Sequence, residues 1–150
     1  MITRQATLDT AVRAPDPTRP VVGFTGTRRG MSPLQQAWLR AVLLGMHPAI
    51  VHHGDCVGSD AEFHAICREL FGDKVWIVVH PPEDDSLRAF MAGDEILAPR
   101  PYIERDDDII AASMVIIATP GEATEVLRSG TWTTIRHARK AGKKVIILPL

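Results

Sequence analysis

Two patterns alternate along this chain, and the alternation constrains its fold more than any other property. Short apolar runs fall at residues 21–25, 49–53, 75–79, 114–118 and 144–148. Between them lie segments with apolar residues at helical spacing, opened by capping signals and closed by glycine. Buried strands separated by amphipathic helices mean βαβ units, hence a parallel sheet covered on both faces. The expected fold is a single Rossmann-like α/β domain over residues 20–150. Its mainly parallel sheet has five or more strands, with helices on both faces. Residues 1–19, which carry Pro15 and Pro17, read as a flexible N-terminal arm.

The helix signals are local. Ser32-Pro33-Leu34-Gln35 combines an N-cap serine, proline in the first turn and glutamine three residues after the cap. Leu34, Trp38, Val42 and Met46 follow at i+4 and predict one buried stripe. Ser59-Asp60-Ala61-Glu62 reads as a capping box, followed by the apolar face of Phe63, Ile66, Cys67 and Leu70. Residues 103–112 form a further helix. Ser129-Gly130-Thr131 opens the last one, with Trp132, Ile135 and Ala138 pointing inward. Residues 83–101, interrupted by Pro99, are a long excursion with a short helix near 87–91. Loops of that length are usually functional, and this one is expected to act as a flexible rim or lid.

Composition removes several functional classes. The 150 residues carry a formal net charge of −1. No apolar run approaches the roughly 18 residues a membrane helix needs. The N-terminus lacks the apolar core, about 7–15 residues long, of a secretory signal. Cys56 and Cys67 stand outside any CxxC, so a reduced, cytoplasmic protein is expected. The neutral total conceals two blocks. Residues 83–108 hold nine acidic groups against three arginines, while residues 126–150 hold six basic groups and no acid. A near-neutral chain is not expected to bind bulk nucleic acid, whereas a few local cations still suit one small anion.

In open α/β sheets the ligand lies beyond the carboxyl ends of the strands, where the strand order reverses. That rule nominates Thr25, Gly26, Thr27 and Arg28 after the first run. It nominates Gly54, Asp55, Gly58, Ser59 and Asp60 after the second, His80 and Pro81 after the third, and Thr119 and Pro120 after the fourth. Ser129, Gly130, Thr131 and Trp132 join them at the start of the last helix. Loop amides, threonine hydroxyls and an arginine fork suit a phosphate, as does a helix start with glycine. Asp55 offers a carboxylate for ribose hydroxyls, and His80 a pocket wall. Neither GxxxxGK[ST] nor GxGxxG is present. Histidine and cysteine spacing indicates no metal site, and no cofactor is implied.

Taken together, Gly26-Thr27-Arg28, His53-Gly54-Asp55-Cys56-Val57-Gly58-Ser59-Asp60 and Arg128-Ser129-Gly130-Thr131-Trp132 resemble the SLOG superfamily. That group includes the DNA-processing protein A family and the lonely-guy phosphoribohydrolases. The middle segment, continued to His64, is similar to the Gly-x-Ala-x-Gly-x-Asp-x-x-x-His pattern of the DNA-processing branch. Residues 102–110 look like the Tyr-x-x-Arg-Asn-x-x-Ile-Val stretch of small single-domain members, which adds Arg105 and Asp106 to the candidates. The resemblance implies a Rossmann-like sheet that binds nucleotides or nucleotide-derived ligands. Lonely-guy enzymes hydrolyse the N-glycosidic bond of nucleoside 5′-monophosphates and carry Pro-Gly-Gly-x-Gly-Thr-x-x-Glu. Here the matching positions keep Gly130-Thr131, but Thr134 stands in place of the glutamate, which counts against that catalysis.

The expected function is therefore binding of a nucleotide-type phosphorylated ligand, as a sensor or binding module. The first alternative is a phosphoribohydrolase-like N-glycosidase. The second is single-stranded DNA binding of the DNA-processing type, which needs an extended basic groove. Uncovered helix faces in so small a domain are expected to pair in a homodimer.

Overall fold

The computed structural model describes residues 18–150 of the chain. Six strands form one sheet, all parallel: β1 (Val21–Gly26), β2 (Ile50–His53), β3 (Trp76–Val79), β4 (Glu95–Ile96), β5 (Val115–Thr119) and β6 (Lys144–Ile147). Their spatial order is β4-β3-β2-β1-β5-β6. The chain winds outward from β1 to the β4 edge, returns to the other side of β1 and winds outward again. The order reverses between β1 and β5, which opens a crevice at their carboxyl ends. Gly26 and Thr119 lie opposite each other in the register, so both strands reach the crevice together.

Four helices cover the sheet: α1 (Pro33–Met46), α2 (Ser59–Phe71), α3 (Tyr102–Ala112) and α4 (Gly130–Lys140). Helices α1 and α2 pack on one face, where Leu39, Leu43, Phe63 and Ile66 meet Val22, Phe24, Val51 and Ile77. Helices α3 and α4 cover the other through Ile109, Ile110, Trp132, Ile135 and Ala138. The rings of Phe24 and Phe63 stack with centroids 4.3 Å apart, which fastens α2 to the central strand.

Three local expectations are corrected. The stripe that α1 buries is Gln35, Leu39 and Leu43, while Leu34 and Trp38 are half exposed. Gln35 sets this rotation. Its side-chain carbonyl accepts from Ser32 N, and its amide donates to Pro120 O, just beyond β5, at 2.9 Å. The capping box at 59–62 does not form: the N-cap is Gly58, with no side-chain bond. Ser59 Oγ instead donates to Thr27 O at 2.6 Å, and the Glu62 carboxylate accepts from Met31 N at 2.7 Å. Both polar groups are spent on the β1–α1 loop, a tertiary demand that local spacing does not reveal.

The excursion is the third correction. It holds a 3-10 turn at Asp85–Leu87 and the edge strand β4 rather than a helix near 87–91. It docks on the β2–α2 loop, with Val57 N donating to Leu87 O and Ala89 N to Asp55 O. None of its residues lines the crevice, although Asp84 lies near enough to Arg28 for the two charges to interact. The expected arm falls mostly at residues 1–17, outside the described residues. Arg19 is anchored, its guanidinium donating to the carbonyls of His47, Pro48 and Lys74. Among the described residues no helix is long and apolar enough to cross a membrane.

Candidate functional site

A cleft of about 350 Å³ occupies the reversal point. The β1–α1 loop forms one wall with Thr25, Gly26, Thr27 and Arg28. The loop is tightly fastened, because Thr27 O accepts from Gly30 N, Ser59 N and Ser59 Oγ. A side chain at position 26 would strike the Ser59 Cβ at 2.5 Å, so glycine there lets α2 start against the loop. Arg29 pairs with Glu122 at 2.8 Å. The exposed Arg28 has neither a hydrogen bond nor an ion pair among the described residues.

The floor comes from the β2–α2 loop and α3. Arg105 is 3% exposed. Its Nη1 donates to Gly54 O and to His80 O and contacts Cys56 Sγ at 3.7 Å. A Cβ on Gly54 would overlap that nitrogen, so the guanidinium needs glycine there. Arg105 Nε lies 2.9 Å from Asp106 Oδ1, an ion-pair contact too bent to be a hydrogen bond. Asp106 Oδ2 accepts from Thr134 Oγ1 at 3.1 Å. Asp60, 7% exposed, accepts from Cys56 N through Oδ2 at 3.1 Å. Its Oδ1 and Arg105 Nη2 have no hydrogen-bond partner among the described residues.

Burial dominates the electrostatics of this floor. It pushes the Asp60 carboxyl up to about 7, against the pull of Arg105 in the other direction. Asp106 is raised for the same reason, with Arg105 and Thr134 opposing. The Cys56 thiol goes up to about 11, mainly through burial, so at neutral pH it is not a nucleophile. Asp60 is thus a buried acid that titrates near neutrality inside a cleft, the kind of group that marks functional sites.

Helix α4 closes the third side. Ser129 caps it, accepting from Trp132 N at 3.2 Å. The amides of Gly130 and Thr131 have no acceptor among the described residues and are therefore free for a ligand. A side chain at position 130 would overlap the Tyr102 hydroxyl.

Of the residues nominated from sequence, the cleft gathers Thr25, Gly26, Thr27, Arg28, Gly54, Asp60, Arg105, Asp106, Ser129, Gly130 and Thr131. The others stand behind it. Asp55 is fully buried, and its carboxylate accepts from Arg88 Nε and Met91 N, each at 2.9 Å. It holds the excursion rather than facing the cleft. Gly58 adopts φ 90° with the Arg28 backbone against it, and Ser59 is spent on Thr27. His80 pairs with His52 at 2.8 Å, and burial lowers both imidazoles to about 4. Pro81 O accepts from Arg100 N, and Pro120 O takes the Gln35 amide. Thr119 and Trp132 are buried, with the threonine hydroxyl and the indole N–H unpartnered.

Sequence reasoning did not place Phe24, Cys56, Tyr102, Ile109 and Glu122 in the cleft, nor Arg29 beside it. Tyr102 and Ile109 bracket Arg105 at helical spacing, a signal available once Arg105 is nominated. Glu122 carries none, because the Arg29 ion pair alone brings it in. Among the described residues no group of three or more His, Cys, Asp or Glu side chains is arranged to hold a metal.

No protein-family model and no curated protein matches this sequence. Solved structures do. The molybdenum cofactor binding protein of Rippkaea orientalis superposes with a TM-score of 0.65 at 17% identity, covering 88% of this chain and 77% of that one. The Moco carrier protein of Chlamydomonas reinhardtii gives 0.60 at 20% identity, over 87% and 76%. DNA processing protein A of Streptococcus pneumoniae gives 0.62 at 17% identity, over 86% of this chain and 50% of its own. The chain has a SLOG-type fold. Within the SLOG-type fold the crevice between β1 and β5 is this chain's own, built from the residues described above.

Proposed function

We propose that this chain binds a small phosphorylated ligand of nucleotide type in the cleft, as a binding or sensor module. One observation carries this reading. Residues with unspent donors line a single cavity from two sides: Arg28 on the β1–α1 loop, and Gly130 and Thr131, whose amides have no acceptor among the described residues, at the start of α4. A helix start and an arginine fork together favour a phosphate. The test is a thermal-shift panel of nucleoside monophosphates, ADP-ribose, cyclic nucleotides and the molybdenum cofactor, with chromatography of each incubated sample. The last belongs in the panel because two structural neighbours are named for it, and its phosphate suits the same donors. A ligand at a hundredfold excess over its Kd adds about 2.7 kcal/mol of stability. Absence of any shift, with salt-sensitive binding of single-stranded DNA, overturns the reading.

A second reading, nucleotide N-glycosidase, is favoured by the two buried carboxyls. Thr134 replaces the glutamate of the lonely-guy pattern, yet its hydroxyl touches the Asp106 carboxylate, which restores a negative charge from α3. In that reading Asp106 stabilises the ribosyl cation and Asp60 gives its proton to the departing base. Water then adds at the anomeric carbon and returns a proton to Asp60, leaving free base and ribose phosphate. Free base in the chromatogram supports the hydrolase, and stabilisation without it supports the binder.

The partner we infer is a second copy. Leu34, Ala37, Trp38, Ala41, Leu44 and Gly45 form one exposed, wholly apolar face along α1. Such a face can meet its own image across a two-fold axis. Light scattering should give twice the chain mass, falling to one chain in Trp38→Glu; a monomeric wild type refutes the pairing.

A further inference from the structure

One ion pair joins two of the loops that line the cleft. Arg29 comes from the β1–α1 loop and Glu122 from the loop after β5, and both residues line the cavity. Arg29 Nη2 donates to Glu122 Oε2 at 2.8 Å. Arg29 Nε also donates to Thr27 Oγ1 at 3.4 Å, on a further cleft residue. A Cβ on Gly121 would overlap Arg29 Nη2, so glycine at that position makes room for the guanidinium. The carboxylate is nevertheless only half satisfied. Glu122 Oε1 is buried and has no hydrogen-bond partner among the described residues. A buried carboxylate oxygen without a donor costs free energy, and such a group in a native fold calls for a reason. Arg29 keeps 69% of its side chain exposed, so it can turn to an entering anion without leaving its loop.

We propose that Glu122 stands in for the anionic group of the ligand: its carboxylate holds Arg29 until a phosphate monoester displaces it. The phosphate takes the guanidinium, and Glu122 turns to solvent, where both of its oxygens are hydrated. The exchange selects by charge. A phosphodiester carries one negative charge, as the carboxylate does, and gains nothing from the exchange. A monoester carries close to two at about pH 8 and gains the difference. The cleft therefore prefers a terminal phosphate, as in a nucleoside 5′-monophosphate, to a cyclic or internal one. Arg29 becomes a second cation for the ligand beside Arg28, and Glu122 sets the charge class admitted. The inference rests on the phosphorylated-ligand reading and names its phosphate class.

The experiment is calorimetric titration at about pH 8 of wild type, Glu122→Gln, Arg29→Ala and the double variant. Its arms are AMP, GMP, the methyl ester of each phosphate, and ribose 5-phosphate. The methyl ester keeps the body of the nucleotide and removes one charge. In wild type at least one monoester should bind about fivefold or more above its methyl ester. Glu122→Gln should tighten that monoester by about fivefold, the gain from releasing a surface ion pair. The gain should disappear in the Arg29→Ala background, because it acts through that guanidinium. Equal binding of monoester and methyl ester, no gain in Glu122→Gln, or a gain that persists without Arg29 overturns this inference alone. Failure of every phosphorylated arm in both wild type and Glu122→Gln overturns the proposed function with it. Should Glu122→Gln not fold, Gly121→Ala decides. Its methyl group pushes the guanidinium off Glu122 and should tighten the same monoester, and unchanged or weaker binding refutes.

Discussion

Replacing Asp60 with asparagine should stabilise the free protein above neutral pH. The carboxyl titrates at about 7 in the fold against 3.8 ordinarily, with burial as the leading cause. The folded chain therefore binds this proton more tightly than the unfolded chain does. Its ionisation has no effect on stability below about pH 4, becomes costly as pH rises, and costs most above 7. One pH unit of displacement corresponds to about 1.4 kcal/mol, so the full cost is on the order of 4 kcal/mol at pH 8. Asparagine has nearly the same shape, keeps an oxygen for the Cys56 amide and never ionises. Denaturant titrations of both proteins at pH 4 and pH 8 measure the effect, with melting curves as a second readout. The variant should match wild type at pH 4 and gain several degrees at pH 8. Equal stability at both values, or a loss at pH 8, would mean that Arg105 compensates the buried charge, and would refute the reasoning that burial dominates this floor.

Other perturbations separate scaffold from site. Arg88→Ala strands the fully buried Asp55 carboxylate and should cost roughly 3–5 kcal/mol in urea unfolding, the range for breaking a buried ion pair. Gly58→Ala must hold φ 90° with the Arg28 carbonyl in the way, and should lose about 2 kcal/mol or more in the same assay. Arg28→Ala removes an exposed cation that makes no hydrogen bond or ion pair among the described residues and acts on Asp84 only at longer range. Its melting temperature should stay within about 2 °C of wild type while affinity for a phosphorylated ligand, measured by calorimetry, falls at least tenfold.

The periodicities placed strands and helices well because each records burial on a definite face. They erred where a polar side chain had a distant partner. The i+4 spacing of Leu34, Trp38, Val42 and Met46 predicts the α1 stripe, but Gln35 turns the helix by bonding Pro120 O just beyond β5, which leaves Val42 and Met46 at the core margin and Leu34 and Trp38 half exposed. The Ser59–Glu62 spacing was right for a capping box, yet both groups were claimed by the neighbouring loop. Strand β4 was invisible because two residues cannot show a period. At the cleft, the loops after β1 and β2 and the start of α4 were legible, since topology brings strand ends together whatever the side chains. Asp55 reads as a ligand group in the sequence because a carboxylate beside a loop glycine has no evident local task. Its task is tertiary, tying Arg88 and the Met91 amide, and no spacing rule encodes it.

The charge blocks acquire a physical meaning from the same geometry. Acidic α3 and basic α4 lie together on one sheet face, where His137 meets Asp107 at 3.2 Å and Thr134 meets Asp106. Arg136 closes on Glu125 and Arg100 on Asp108, each within its own neighbourhood. The net charge of −1 follows from the counts alone, 17 basic against 18 acidic residues, with the two blocks offsetting each other. The cation left over at the cleft is Arg28, from neither block. In the reading proposed above, selectivity for an anion in this cleft rests on Arg28 and the start of α4.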